Sequence, residues 1–318
     1  AAGAAAGAAG CVGLANADAS CCMNAVVQSL FHIGAFREAV LACRPEAQGA
    51  AGELRGIFCR MRAQEEGISC ETLLAQCAGE GRGASAQNDV SALRDALFEL
   101  LLGQAPDESA LADAVLDLFG GVVERVISSG GGPADFQHQE HFFNVPLDFF
   151  DEQRQPLSSV EASLAAFVAP QPIQEAGDAA GGGAALGGPS LRQRFVRVPP
   201  VLTLLLHRFA EDPAGRLAKL DARMSFPDAL DMGRVAPGAG LYALHSVLAH
   251  RGSLRGGHYV AFVRPVECDD ASVRPCGARD ATEANFGGGP QSAYLLTYVR
   301  AGGAAGRPGG PAGGAADG

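Results

Sequence analysis

From Cys21 onward, apolar residues return at three- and four-residue intervals: Met23, Val26, Val27, Leu30 and Phe31. That spacing predicts a helix with one buried face, and Ser20, just before it, is a suitable N-cap. Helical patterns recur over 36–42, 52–63, 85–102 and 109–119, with Val90, Leu93, Leu97 and Leu101 forming the stripe of the third. After Gly130-Gly131-Gly132-Pro133 the period shortens. Phe143, Val145, Leu147 and Phe149 alternate with more polar neighbours, as in a half-buried strand, and Pro146 assigns that strand to an edge or a bulge. Residues 176–190 are rich in Gly and Ala and predict a flexible loop, whereas the continuous run Val201–Leu206 suits a buried central strand. Strand patterns follow over 241–249, 258–264 and 293–300. A helical half precedes a strand-rich half, which is an α+β order, and no internal repeat is visible.

The 318 residues, 47% of them apolar, suffice for one large domain or two smaller ones. No apolar run approaches the ~18–20 residues of a membrane-spanning helix. Residues 1–10 are all Ala and Gly, without a basic segment or an initiator Met, and read as a linker stub of a longer protein. Residues 301–318 make a matching tail, and both ends are expected to be disordered. A formal charge of −11 argues against a nucleic-acid binder and is compatible with a basic partner. Lys219 is the single lysine, which, with the Ala and Gly excess, reads as codon bias. The nine cysteines are odd in number and irregular in spacing, and no secretory signal accompanies them, so no disulfide framework is expected. No CxxC pair occurs, which leaves a four-thiolate zinc site without support. A reducing compartment, cytosol or nucleus, fits best.

Cys21 stands where a Gly-containing loop meets a helix N-terminus, where exposed N–H groups and the helix dipole favour a thiolate. A small buried core residue is the plainer reading, and Cys22 would point about 100° away around the helix. Among the histidines, His258 follows Gly256-Gly257 at the entrance to an apolar strand, where paired glycines leave the ring accessible. His32 and His207 sit in structural surroundings, and His138 and His141 form only a weak candidate metal pair. A catalytic imidazole needs a third group to fix its tautomer. A hairpin turning near 263–264 would set Asp269 opposite His258, within reach of the ring. Taken alone, Asp269 and Asp270 read more simply as a solvated turn.

Together these motifs resemble a known family. The stretch Gly13-Leu14-Ala15-Asn16-Ala17-Asp18-Ala19-Ser20-Cys21-Cys22-Met23-Asn24-Ala25-Val26-Val27-Gln28-Ser29-Leu30 is similar to the cysteine box of the ubiquitin-specific proteases. The segment 242–262, with Val247-Leu248-Ala249-His250 ahead of Gly256-Gly257-His258-Tyr259, resembles their histidine box. Pro199-Pro200-Val201-Leu202-Thr203-Leu204-Leu205-Leu206-His207-Arg208-Phe209 looks like their central strand. Asn285-Phe286-Gly287-Gly288 and Ser292-Ala293-Tyr294-Leu295-Leu296 look like their C-terminal signature. The segment after the central strand is closest in flavour to the herpesvirus-associated subgroup.

The resemblance covers about 11–300 and implies a papain-like cysteine protease with a helical thumb (about 11–130) and β-rich fingers and palm (about 131–300). It implies Cys21 as nucleophile, His258 as general base and acid, Asp269 as orienter and Asn16 as an oxyanion-hole donor. Gln87-Asn88-Asp89-Val90 would lie beside the ubiquitin tail, Asp89 meeting an arginine of that tail, and Phe209, His250 and Tyr259 would line the cleft. Departures from the family pattern are Ala19 and Cys22 beside the nucleophile, Ala92 where Glu is preferred, a shortened His258-to-Asp269 interval without its tryptophan, and no zinc-binding cysteines in the fingers. No metal or other cofactor is expected. The implied activity is hydrolysis of the peptide or isopeptide bond after the ubiquitin C-terminal glycine, with ubiquitin and ubiquitinated proteins as partners. A ubiquitin-binding module without the chemistry, and a protease for a ubiquitin-like modifier, are the alternatives.

Overall fold

The computed structural model describes residues 11–16, 20–79, 89–103, 109–129, 135–173, 189–211, 217–253 and 256–302. The stub at 1–10, nearly all of the expected loop at 176–190, most of the tail, and Ala17, Asp18, Ala19, Gln87 and Asn88 lie outside them.

The helical part comes first. Helix α1 (Cys21–Phe31) is buried at every position rather than along one face. Its polar members bond inside the core, although Asn24 Oδ1 and Gln28 Oε1 have no hydrogen-bond partner. Gln28 Nε2 donates to Val12 O at 2.8 Å, Asn24 Nδ2 to Ala15 O at 3.1 Å, and Ser29 shares a 2.6 Å hydroxyl contact with Ser246. Around it lie α2 (Gly34–Leu41), α3 (Gly49–Arg62), α4 (Glu71–Ala78), α5 (Val90–Leu102) and α6 (Ser109–Phe119). The stripe Val90, Leu93, Leu97, Leu101 is buried as its spacing predicts. Helix α4 escapes the periodicity because its eight residues bury only Leu73, Cys77 and Ala78.

Strand β3 (Gly121–Ser128) follows α6 directly and pairs antiparallel with β4 (Phe136–Phe142) and β7 (Ser190–Arg197). The short β6 (Gln171–Pro172) completes this four-stranded sheet. Its strands lack a clean alternation because β4 is exposed along nearly its whole length. The alternation predicted over 143–149 contracts to β5 (Val145–Leu147), an edge strand, in keeping with Pro146. Helix α7 (Val160–Val168), which the pattern does not predict, is capped by Ser159, whose Oγ accepts from Ala162 N at 3.2 Å.

The larger sheet runs β15 (Ser272–Pro275), β14 (Val266–Asp269), β13 (Gly256–Val263), β12 (Leu241–Ser253), β16 (Gln291–Arg300), β8 (Val201–Leu206), β5, with β11 (Ala229–Asp231) on β12. One face, through Leu248, Tyr259, Ala261 and Leu295, packs on the helical core; the other covers a second core with Phe195, Leu204 and Phe262. Helix α1 lies directly against β13, so the helix start and the Gly-Gly-His strand are neighbours. Two small pairs flank this junction: β1 (Leu14–Ala15) with β2 (Ile68–Ser69), and β9 (Phe209–Glu211) with β10 (Leu217–Lys219).

Candidate active site

Cys21 is the first residue of α1 and is 8% exposed. Ser20 precedes it but does not cap the helix with its side chain, contrary to the sequence expectation. Asn16 supplies the acceptor instead: its Oδ1 receives Ser20 N at 2.9 Å and Ser20 Oγ at 3.3 Å. Burial pushes the Cys21 thiol up, the Asp270 carboxylate adds to the rise, and the backbone of Tyr259 partly offsets it. The helix-start amides of Cys21 and Cys22 pull it the other way. Burial also pushes the neighbouring Cys22 thiol up to about 11, so it is the poorer nucleophile.

His258 meets Asp269 Oδ1 through its Nε2 at 2.6 Å. The expected hairpin is present but its register differs. Pairing runs Val263 with Val266, Phe262 with Glu267 and Ala261 with Cys268, so Asp269 lies two positions off from His258. It reaches the ring diagonally, a span of ~7–8 Å between backbones that an Asp and a His together cross easily. With Nε2–H committed to the carboxylate, Nδ1 is the free lone pair of the neutral ring.

Asp270 has a larger part than the sequence suggests. Its φ of +49° turns the chain in the left-handed region that Asp tolerates. Its two oxygens accept from Asn16 Nδ2 and Asn24 Nδ2, each at 2.8 Å, and Oδ2 lies 3.7 Å from His258 Nε2. Its carbonyl accepts from Leu14 N at 2.9 Å, and a Cβ on Gly13 would come within 2.2 Å of Ala271 O, so this approach requires glycine. One carboxylate thus ties the segment bearing Asn16 and the helix bearing Cys21 to the strand end bearing Asp269. Among the described residues, His258, Asp269 and Asp270 are also the one acidic and imidazole cluster close enough to hold a metal, but Asp270 already accepts from two amides there.

The family profile described as ubiquitin carboxyl-terminal hydrolase matches residues 12–298. The chain belongs to that family. Similar proteins include ubiquitin carboxyl-terminal hydrolase 7 of Caenorhabditis briggsae, 26% identical over 325 residues (92% of this chain, 28% of that protein). Ubiquitin C-terminal hydrolase 12 of Arabidopsis thaliana is 28% identical over 333 residues, covering 92% of this chain and 29% of that protein. Ubiquitin carboxyl-terminal hydrolase 15 of Schizosaccharomyces pombe is 25% identical over 327 residues, with shares of 92% and 28%. This chain therefore spans under a third of the length of these relatives. A papain-like α+β fold follows from membership of the ubiquitin carboxyl-terminal hydrolase family, and the helical part and the sheets described above agree with it.

Beside the junction of α1 and β13, this domain gathers the residues expected along a tail cleft. Asp89 is the N-cap of α5: Oδ1 accepts from Ser91 N at 2.8 Å and Ala92 N at 3.2 Å, while Oδ2 accepts from Tyr294 OH at 2.6 Å. The Val90 side chain is fully buried, so only its backbone is available to a ligand. Phe209, His250 and Tyr259 form one aromatic cluster, and Tyr294 joins it, 5.3 Å from Phe209 and 6.1 Å from Tyr259. Tyr294 is visible in the sequence only as part of the C-terminal signature, since nothing local links it to Asp89. Burial pulls the His250 imidazole down to about 4, keeping it neutral, and a Cβ on Gly257 would come within 2.1 Å of its Nε2. Below the cluster, fully buried Arg208 donates to the carbonyls of Ala293, Leu220, Ala222 and Phe286 at 2.6–3.0 Å, pinning the root of the β9–β10 arm.

Proposed function

We propose that this domain is a thiol protease that hydrolyses the peptide or isopeptide bond after the C-terminal glycine of ubiquitin. The observation that carries the reading is the 2.6 Å His258–Asp269 contact at the strand packed on the helix that starts with Cys21. His258 Nδ1 takes the Cys21 proton, and the thiolate attacks the glycine carbonyl carbon. The leaving amine departs with the proton from His258, and an acyl-enzyme remains on Cys21. Water, deprotonated by His258, then releases the free carboxyl terminus and restores the thiol. Asp269 holds the imidazole in the required tautomer and stabilises the imidazolium. Asn16 Nδ2 spends one N–H on Asp270 and has a second to offer the oxyanion.

Asp89, held by the α5 amides and Tyr294, offers its remaining lone pairs to an arginine of the tail, and Phe209, His250 and Tyr259 form the cleft wall. A cleft of about 690 Å³ between β5 and the four-stranded sheet, where Arg125 pairs with Glu140 and Asp148, Asp151 and Glu152 add acidic charge, offers a surface to the body of the modifier. The segment after the central strand supports placement in the herpesvirus-associated subgroup. Cytosol or nucleus is the compartment that the odd number and irregular spacing of the nine cysteines favour; among the described residues no helix is long and apolar enough to cross a membrane. The test is labelling by ubiquitin carrying a thiol trap at its C-terminus, on wild type and Cys21→Ala. A ubiquitin-sized mass gain that the variant loses supports the reading. No gain on a folded wild type that still binds ubiquitin refutes it in favour of a binding module, and faster labelling by a ubiquitin-like modifier redirects it to that substrate.

A further inference from the structure

The hairpin that carries His258 is poorly supported by its own sheet. Strand β13 pairs with β14 only from Ala261 to Val263, so over Gly256–Val260 its strand neighbour among the described residues is β12 alone. Two glycines precede the histidine, and glycine adds conformational freedom where the base needs a fixed position. Across the ladder His258 faces Arg251, which His250 and Gly252 flank.

Those two flanking carbonyls are where Lys219 binds. Its Nζ lies 3.4 Å from His250 O and 3.0 Å from Gly252 O, and Asp221 Oδ1 is 3.4 Å away. Three ammonium donors thus meet three oxygens, and the side chain is only 6% exposed. A compact charge with three rotatable donors suits this arrangement, whereas the planar fork of arginine does not. Within its own hairpin Lys219 pairs with Phe209, whose ring packs edge-on against His250 at 5.6 Å. The β9–β10 arm therefore grips β12 twice at one residue, by an aromatic ring and by an ammonium.

We propose that Lys219 is a positioning residue for His258: it holds the strand facing the base and couples the cleft wall at Phe209 to the catalytic hairpin. For its turnover arm the proposal rests on the protease reading above.

Lys219→Met keeps the stem and removes the charge. Amide exchange over residues 247–262 is expected to accelerate about tenfold while exchange in α1 is unchanged. With a ubiquitin bearing a fluorogenic C-terminal amide, kcat is expected to fall about tenfold with KM within about twofold, the scale of a modest misplacement of a reacting group. The pH profile of iodoacetamide alkylation at Cys21 needs no ubiquitin: a loosened His258 moves its half-maximum upward. Asp221→Asn spares both carbonyl contacts and is expected to keep kcat within about twofold. Unchanged exchange in K219M overturns the clamp. Faster exchange with unaltered kcat and an unmoved alkylation profile overturns the positioning role. A loss in D221N equal to that in K219M overturns the assignment to the two carbonyls. If wild type turns over no ubiquitin substrate, the protease reading fails, while exchange and alkylation still decide this one.

Discussion

Replacing Asp270 with Asn isolates the carboxylate that links Asn16 to the rest of the centre. Asn tolerates the left-handed φ of +49° at this position, so the backbone is conserved, which Ala would not ensure. The carboxylate accepts two amide donors at 2.8 Å each. A carboxamide retains one acceptor and turns an N–H₂ toward the other donor, so one of Asn16 and Asn24 loses its partner, a penalty of ~1–3 kcal/mol. Full loss of an oxyanion donor costs roughly 10²–10³ in kcat. Partial release of Asn16 should therefore lower kcat about 30-fold, or ~2 kcal/mol, with KM little changed because the tail cleft is untouched. The same change removes a negative charge that raises the Cys21 thiol. Alkylation of Cys21 should then persist to lower pH even as turnover falls, which separates lost positioning from lost thiolate. Steady-state kinetics on D270N, Asn16→Ala and the double variant complete the assay, since residues acting through one contact are not additive. A double variant slower than N16A by the full D270N factor would refute the coupling, as would an unaltered kcat in D270N.

Asp89→Asn should keep thermal stability nearly unchanged, because Asn caps a helix as well as Asp does; KM for the ubiquitin substrate should rise about tenfold as the charge for the tail arginine is lost. Asp89→Ala should in addition destabilise the fold by ~0.5–2 kcal/mol, measured by urea unfolding, and an unchanged KM in both variants would remove Asp89 from the cleft. Acid should destabilise the domain through its neutral core histidines. Burial lowers both His32 and His250 to about 4 from an ordinary 6.5, so the unfolded chain binds more protons between those values. Stability present above about pH 6.5 should then be lost progressively toward pH 4, and His32→Gln should flatten that slope in thermal midpoints taken across the range; a parallel slope in the variant would contradict the assignment.

Local features of the site were legible from the residues alone. The spacing after Cys21 gives α1, and Gly256-Gly257 before His258 marks a strand entrance where a side chain on residue 257 would strike His250. What escapes sequence reasoning depends on distant partners. Ser20 has the right chemistry for a cap, but Asn16 is held in place by Asp270 and takes the role. A symmetric hairpin predicts Asp269 opposite His258, yet the turn sits one residue later and shifts the contact to a diagonal. Strand β3 and the exposed β4 show no period because their sheet is solvated on much of its surface. Tyr294 and Lys219 gain meaning only when β16 and the β9–β10 arm come to lie beside Asp89 and β12.

The bonds from Asp270 to Asn24 and Asn16 join positions 246 and 254 residues apart. Synthesis proceeds from the N-terminus at ~5–20 residues per second, so roughly 12–50 s separate the emergence of Cys21 from that of its carboxylate. For almost all of that interval α1 lacks the strand it packs on, and throughout it lacks the anion that fixes its amides. Cys21 thus waits on the last strands of the sheet for its surroundings, and the centre is assembled only once both ends of this domain have been made.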